Sequence, residues 1–168
     1  LILVQFKQNL KTRLKQQLEG KTKANVLMYN NESQVGAPQH SENNYAFKVY
    51  AIEKARDKGY TSILWVDASM LPIKNIDSIF DIIEKDGYFM QFGGWKNNEW
   101  TNDRAKEYFG TNEGNMIAAC CFGLDFANEK TLEFWDKVKQ AMNDGIFNGS
   151  WDDHRHDQTV MSILAYNM

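Results

Sequence analysis

Three groups of residues in this chain have types and spacings that can do chemistry. The first is Asp67, which closes the apolar run Ser62–Val66 (SILWV), with Ser69 two residues on. A carboxylate leaving a buried strand stands at the edge of a sheet, and an oxygen two residues later falls on the same side if the backbone stays extended. Hard cations such as Mg²⁺ and Mn²⁺ bind through one or two such oxygens plus the phosphates of a substrate. The structural alternative is that Asp67 opens a turn ahead of Pro72 and accepts backbone N–H bonds.

The second group is Asp152-Asp153-His154-Arg155-His156-Asp157-Gln158, a dense supply of metal ligands and proton carriers just ahead of a helix. Asp157 or His156 can equally serve as a helix cap. The third group is Trp95, Trp100 and Trp151, each beside Asn, Asp or Gly in segments that read as loops. Flat apolar rings with polar neighbours suit the faces of sugar rings, whose hydroxyls Asn and Asp can bond. The competing role is that of loop anchors folded onto the core. Lys48, one residue from core-facing Phe47 and near a helix N-terminus, adds positive charge to a phosphate site or is simply solvated. There is no Gly-rich phosphate loop, no CxxC pair and no GxSxG elbow.

The elements that must position these residues alternate. Leu1–Phe6 and Asn25–Tyr29 read as strands, with a helix over Asn9–Leu18 between them. The polar stretch Asn30–Asn44 reads as a long loop, followed by a helix over Tyr45–Lys58 that Gly59 stops. After the Ser62–Val66 strand, Asn75 is placed to cap a helix that Gly87 closes. Tyr88–Phe92 reads as a strand, Gly93–Asn102 as a loop and Asp103–Phe109 as a short helix. Ile117–Leu124 is apolar throughout and reads as a buried strand, and Asn128 caps the next helix. The Asn143–Asp153 loop then leads to a last helix over Gln158–Tyr166. Met116, Met142 and Met161 read as core filler. Strands in continuous apolar runs alternating with helices predict an α/β fold with a mostly parallel central sheet flanked by helices. Ligands of such sheets sit beyond the carboxyl ends of the strands, where Asp67 lies.

Composition limits the function classes. The chain has 168 residues, enough for one domain spanning 1–168. It is 43% apolar and 24% charged, the profile of a folded globular protein. Lys and Arg number 19 against 22 Asp and Glu, a net charge of −3, so no basic field exists to hold nucleic acid or an anionic membrane. No apolar run approaches the ~20 residues of a membrane span. The two cysteines, Cys120 and Cys121, are neighbours in a predicted strand and point to opposite faces, which argues against a bridge and suits a reducing, cytoplasmic setting. Aromatic residues make up 13% of the chain, five of them Trp, which is high and fits a role in binding.

Taken together, ILWVDAS at Ile63–Ser69, the YAFKVYAI helix ahead of it and HRHDQTVMSIL near the end resemble the small GT-A-fold glycosyltransferases of bacterial polysaccharide and large-virus gene sets. The resemblance covers roughly Tyr45 to Leu164. It implies a GT-A-like nucleotide-diphospho-sugar transferase fold and transfer of a sugar from a nucleotide-sugar donor to a saccharide or glycan acceptor. It also implies a divalent cation, Mn²⁺ or Mg²⁺. Asp67 matches the first Asp of the family's DxD motif, and Ser69 stands where the second is expected, a departure that shifts metal binding toward Asp67 with His156. Lys48 matches a basic position ahead of DxD, Gln158 is placed to bond a donor hydroxyl, and the segment with Trp95 and Trp100 matches the acceptor loops. Asp157 and Asp103 are the candidate bases for the acceptor hydroxyl.

Two other classes compete. A saccharide-binding or degenerate transferase-like module would keep the fold without turnover, which Ser69 favours. A nucleotidyltransferase would want a Gly- and Lys/Arg-rich first loop, for which Lys7 alone is thin support.

Overall fold

The structure is a computed structural model that describes residues 1–4 and 16–167. Five strands, β1 (Ile2–Val4), β2 (Val26–Met28), β3 (Ser62–Val66), β4 (Tyr88–Lys96) and β5 (Asn115–Asp125), form one sheet in the order β2-β1-β3-β5-β4. Five helices accompany them among the described residues: α1 (Ala46–Arg56), α2 (Asp77–Asp86), α3 (Asp103–Phe109), α4 (Glu129–Asn143) and α5 (His156–Tyr166). Residues 16–18 are helical and fit the end of the expected Asn9–Leu18 helix; the rest of that helix, Lys7 and the end of the first strand lie outside the described residues.

The sheet corrects the expected architecture. β1 pairs in parallel with β2 and β3, but β5 runs antiparallel to both β3 and β4. The longer strands therefore form an antiparallel ladder, and the mostly parallel sheet of a GT-A-like fold is not what this chain builds. The reason lies in what an apolar run reports. Continuous hydrophobicity signals burial on both faces, and β5 is covered on both faces while running against its neighbours.

Period-two alternation in β3 divides the core. Ile63 and Trp65 face a cluster with Phe47, Ala51 and Ala55 of α1 and with Trp135 and Val138 of α4. Leu64 and Val66 face a second cluster with Ile2, Leu18 and Ile83. Both layers are needed to bury the strand, and fully burying side chains of this size stabilises by ~1.5–3 kcal/mol each. Met116, Met142 and Met161 are buried, as expected of filler.

Several boundaries move. β4 runs on through Gly93, Gly94 and Trp95, expected in a loop, with register irregularities at Met90/Phe92 and Phe92/Lys96. The cap of α2 is Ile76, while Asn75 Oδ1 accepts from the backbone N–H of Asp77 at 2.8 Å. Asn128 does cap α4, its Oδ1 accepting from the N–H groups of Lys130 and Thr131. α5 starts at His156, two residues early, which moves His156 and Asp157 from a loop into the first turn of a helix. Both cysteines are free thiols, and no described helix is long and apolar enough to cross a membrane.

Candidate functional site

β5 and β4 extend past the carboxyl end of β3. Asp67 leaves the sheet there, its N–H donating to Cys120 O at 2.8 Å. Trp65 Nε1–H, two residues back on the same face, donates to Asp67 Oδ1 at 2.7 Å and fixes the carboxylate. The side chain remains one-fifth exposed. Ser69 is exposed and makes no side-chain hydrogen bond among the described residues.

Lys48 is not the solvated lysine that its spacing allows. It lies on the buried side of α1, 3% exposed, with Nζ donating to Ala119 O of β5 at 2.9 Å. Asp157 Oδ2 is 2.8 Å from Nζ and Asp67 Oδ1 is 3.8 Å away. Burial by itself would lower the affinity of Lys48 for its proton, but the two carboxylates outweigh it and hold the ammonium above its ordinary range. Burial pushes Asp157 up from its ordinary value, against the pull of Lys48 and with the help of Asp67. One ammonium thus joins α1, the end of β3, β5 and the first turn of α5.

The faces of two rings lie over this ammonium, Tyr45 at 5.2 Å and Trp65 at 5.7 Å. Tyr45 also stacks on His156, with centroids 5.3 Å apart. These are the two non-glycine residues of positive φ among the described residues, 59° for Tyr45 and 53° for His156. Left-handed backbone in non-glycine residues costs ~1–3 kcal/mol and is held in place only by its surroundings. Here both instances meet at one contact, at the starts of α1 and α5.

His156 Nδ1–H donates to Phe147 O at 2.9 Å, and His154 Nε2–H to Ile146 O at the same distance. The loop ahead of α5 is therefore pinned by two imidazoles, and burial lowers the proton affinity of both.

Where α5 and the loop ahead of it meet β4 and β5 lies a cavity of about 200 Å³, lined by Trp95, Trp100, Met116, Trp151, Arg155 and Gln158. The three tryptophans and Gln158, far apart in sequence, thus share one wall system. The Trp151 ring also packs near the strained pair, its centroid 5.6 Å from that of His156 and 6.4 Å from that of Tyr45, so one wall of the cavity adjoins the aromatic pair that flanks Lys48. Trp100 is held there by its carbonyl, which accepts from Thr159 Oγ1 at 2.8 Å and from the Arg155 N–H at 3.3 Å.

Asp103, the other candidate base, opens α3 three residues after Trp100 and is exposed; Asp157 is 4% exposed and engaged by Lys48. The described residues build no closed set of protein ligands for a divalent cation. Asp67 and His156 are joined by no third ligand, since no group of three or more His, Cys, Asp or Glu is placed to share a metal among the described residues. Asp157 is paired with the Lys48 ammonium at 2.8 Å, Asp67 Oδ1 accepts from Trp65 Nε1, and His156 Nδ1 is committed to a carbonyl.

Sequence reasoning missed the burial of Lys48, the role of Trp65 and the importance of Tyr45 and Arg155. No local pattern carries these, because each depends on a partner distant in the chain. No protein-family model matches the chain, and no curated protein matches it in sequence.

Proposed function

We propose that the chain transfers a sugar from a nucleotide-sugar donor to a saccharide acceptor. One observation carries the reading: the turn that opens α5 serves both a tryptophan-walled cavity, through Arg155 and Gln158, and the ion-paired group in which a buried lysine and an indole N–H hold the partly open carboxylate of Asp67 at the end of a central strand. The cavity lies below the ~300–1,000 Å³ typical of drug-sized ligands and suits a sugar unit rather than a whole nucleotide sugar.

In this reading Asp67 contacts the donor through its open oxygen. Lys48 and Asp157 are positioning residues, since neither is exposed enough to meet a substrate; Asp157 holds Lys48, whose ammonium faces Asp67. Gln158 bonds a sugar hydroxyl, and Trp95 and Trp100 stack on the acceptor. As the acceptor oxygen bonds to the anomeric carbon, the bond from that carbon to the diphosphate breaks and the diphosphate leaves with the electron pair. The hydroxyl proton passes to a carboxylate, for which solvent-open Asp103 is better suited than ion-paired Asp157. Among the described residues no closed set of protein ligands for a cation is built, and no step is assigned to one.

A second reading is supported by exposed, unpartnered Ser69 in the place of a second carboxylate: a saccharide-binding module without turnover. Thermal unfolding with UDP, GDP, TDP and CMP, each with and without Mn²⁺, separates the two. A nucleotide at about 100 times its dissociation constant adds ~2.7 kcal/mol, a clear rise in Tm. The transferase reading expects one nucleotide to raise Tm in the wild type and not in Asp67→Ala. No rise from any nucleotide, with a rise from saccharides alone, supports the binding module instead.

A further inference from the structure

The Arg155 guanidinium lies over two indole rings, 3.7 Å from the centroid of Trp100 and 4.1 Å from that of Trp151. Covering by aromatic rings leaves a guanidinium approachable chiefly in its own plane, where its N–H groups form the fork that matches a carboxylate or phosphate. Nη1 donates to Trp151 O at 2.8 Å, and no other guanidinium N–H has a partner among the described residues. No carboxylate lies within ion-pair distance of Arg155 among them either, although Asp152 and Asp153 are close in sequence; both are exposed. Arg155 nevertheless lines the cavity, in which it is the one charged residue. A cation so held, stripped of water on its faces and lacking a counter-ion, has its remaining donors available to a ligand.

We infer that Arg155 makes this cavity selective for a saccharide bearing an anionic group, a carboxylate or a phosphate, which the guanidinium edge takes while the tryptophans stack on the ring. The inference rests on the cavity being a sugar site, as proposed above, and adds the class of sugar.

Tryptophan fluorescence of the intact chain, titrated without nucleotide, tests it with four ligands: a galacturonate trisaccharide, the matching neutral galactose trisaccharide, glucose 6-phosphate and glucose. The expected result is at least about tenfold tighter binding of a charged ligand than of its neutral partner. A preference confined to the first pair assigns a carboxylate, and one confined to the second a phosphate. In Arg155→Gln the preference disappears, and in Gln158→Ala the preference stays. Should Arg155→Gln not fold, the salt dependence of the wild type decides, since raising NaCl from about 50 to about 500 mM weakens the charged ligand and spares the neutral one. Equal affinity within each pair, or a preference that survives Arg155→Gln, overturns the role of Arg155 and leaves the sugar site standing. No binding of any of the four overturns both.

Discussion

Lys48 shows how much of the site hangs on one side chain. Its ammonium is buried against two carboxylates and a strand carbonyl, so removing it leaves Asp157 buried without its counter-charge. Lys48→Met should cost ~3–5 kcal/mol of stability, the usual penalty for leaving one half of a buried pair. The double variant Lys48→Met/Asp157→Leu should recover most of that loss, because it removes both charges. Urea denaturation at neutral pH measures both, and a double variant no more stable than the single one would contradict the pairing. Sequence spacing singled out Lys48, Asp67 and Asp157 but said nothing of their joining. Lys48 sits beside Phe47 on α1, and what makes it a core residue is Asp157, which lies at the far end of the chain.

At the scale of elements, the loop ahead of α5 depends on two imidazoles donating to the carbonyls of Ile146 and Phe147. Burial depresses the proton affinity of His154 and His156 below the ordinary value of 6.5. The unfolded chain therefore takes up protons first on acidification. Their contribution is complete above pH 6.5 and is lost as pH falls below it toward the folded-state values. Tm should fall between about pH 7 and 5, less steeply in His154→Asn than in the wild type; equal slopes would remove the histidines from the account. A second element-scale test concerns the fit of α2 on the sheet. A Cβ at Gly123 would overlap the side chain of Ile83, so Gly123→Ala should cost ~1–3 kcal/mol, and much less in an Ile83→Ala background. Denaturant midpoints of the four proteins close that cycle, and additive losses would contradict the contact.

Most of these elements could be read in the sequence, because Gly59, Gly87 and Gly110 punctuate helices whose apolar spacing is regular. The direction of β5 could not. Strand direction leaves no trace in a run such as IAACCFGL, which reports only that both faces are covered. The continuation of β4 was hidden in the same way, since Gly93-Gly94 reads as a turn although the strand continues through it. The early start of α5 was hidden at His156, which opens the helix with left-handed backbone that apolar spacing does not report.

At the scale of the whole molecule, the arrangement has a simple logic. β4 and β5 reach beyond β3 and carry Trp95 and Met116 past the point where Asp67 leaves the sheet, while α5 and its loop bring Trp151, Arg155 and Gln158 to meet them. The result is a tryptophan-walled cavity and a fixed carboxylate served by the same α5, on a chain of net charge −3. The direct test is release of nucleoside diphosphate, followed by ³¹P NMR, from a panel of nucleotide sugars mixed with saccharide acceptors, for the wild type and Asp67→Asn. One nucleotide sugar should be consumed, and Asp67→Asn should slow its consumption by about a hundredfold or more, the scale of losing a positioned polar group at a reacting centre. Consumption of none of them, with or without Mn²⁺, or an unchanged rate in Asp67→Asn, would contradict it.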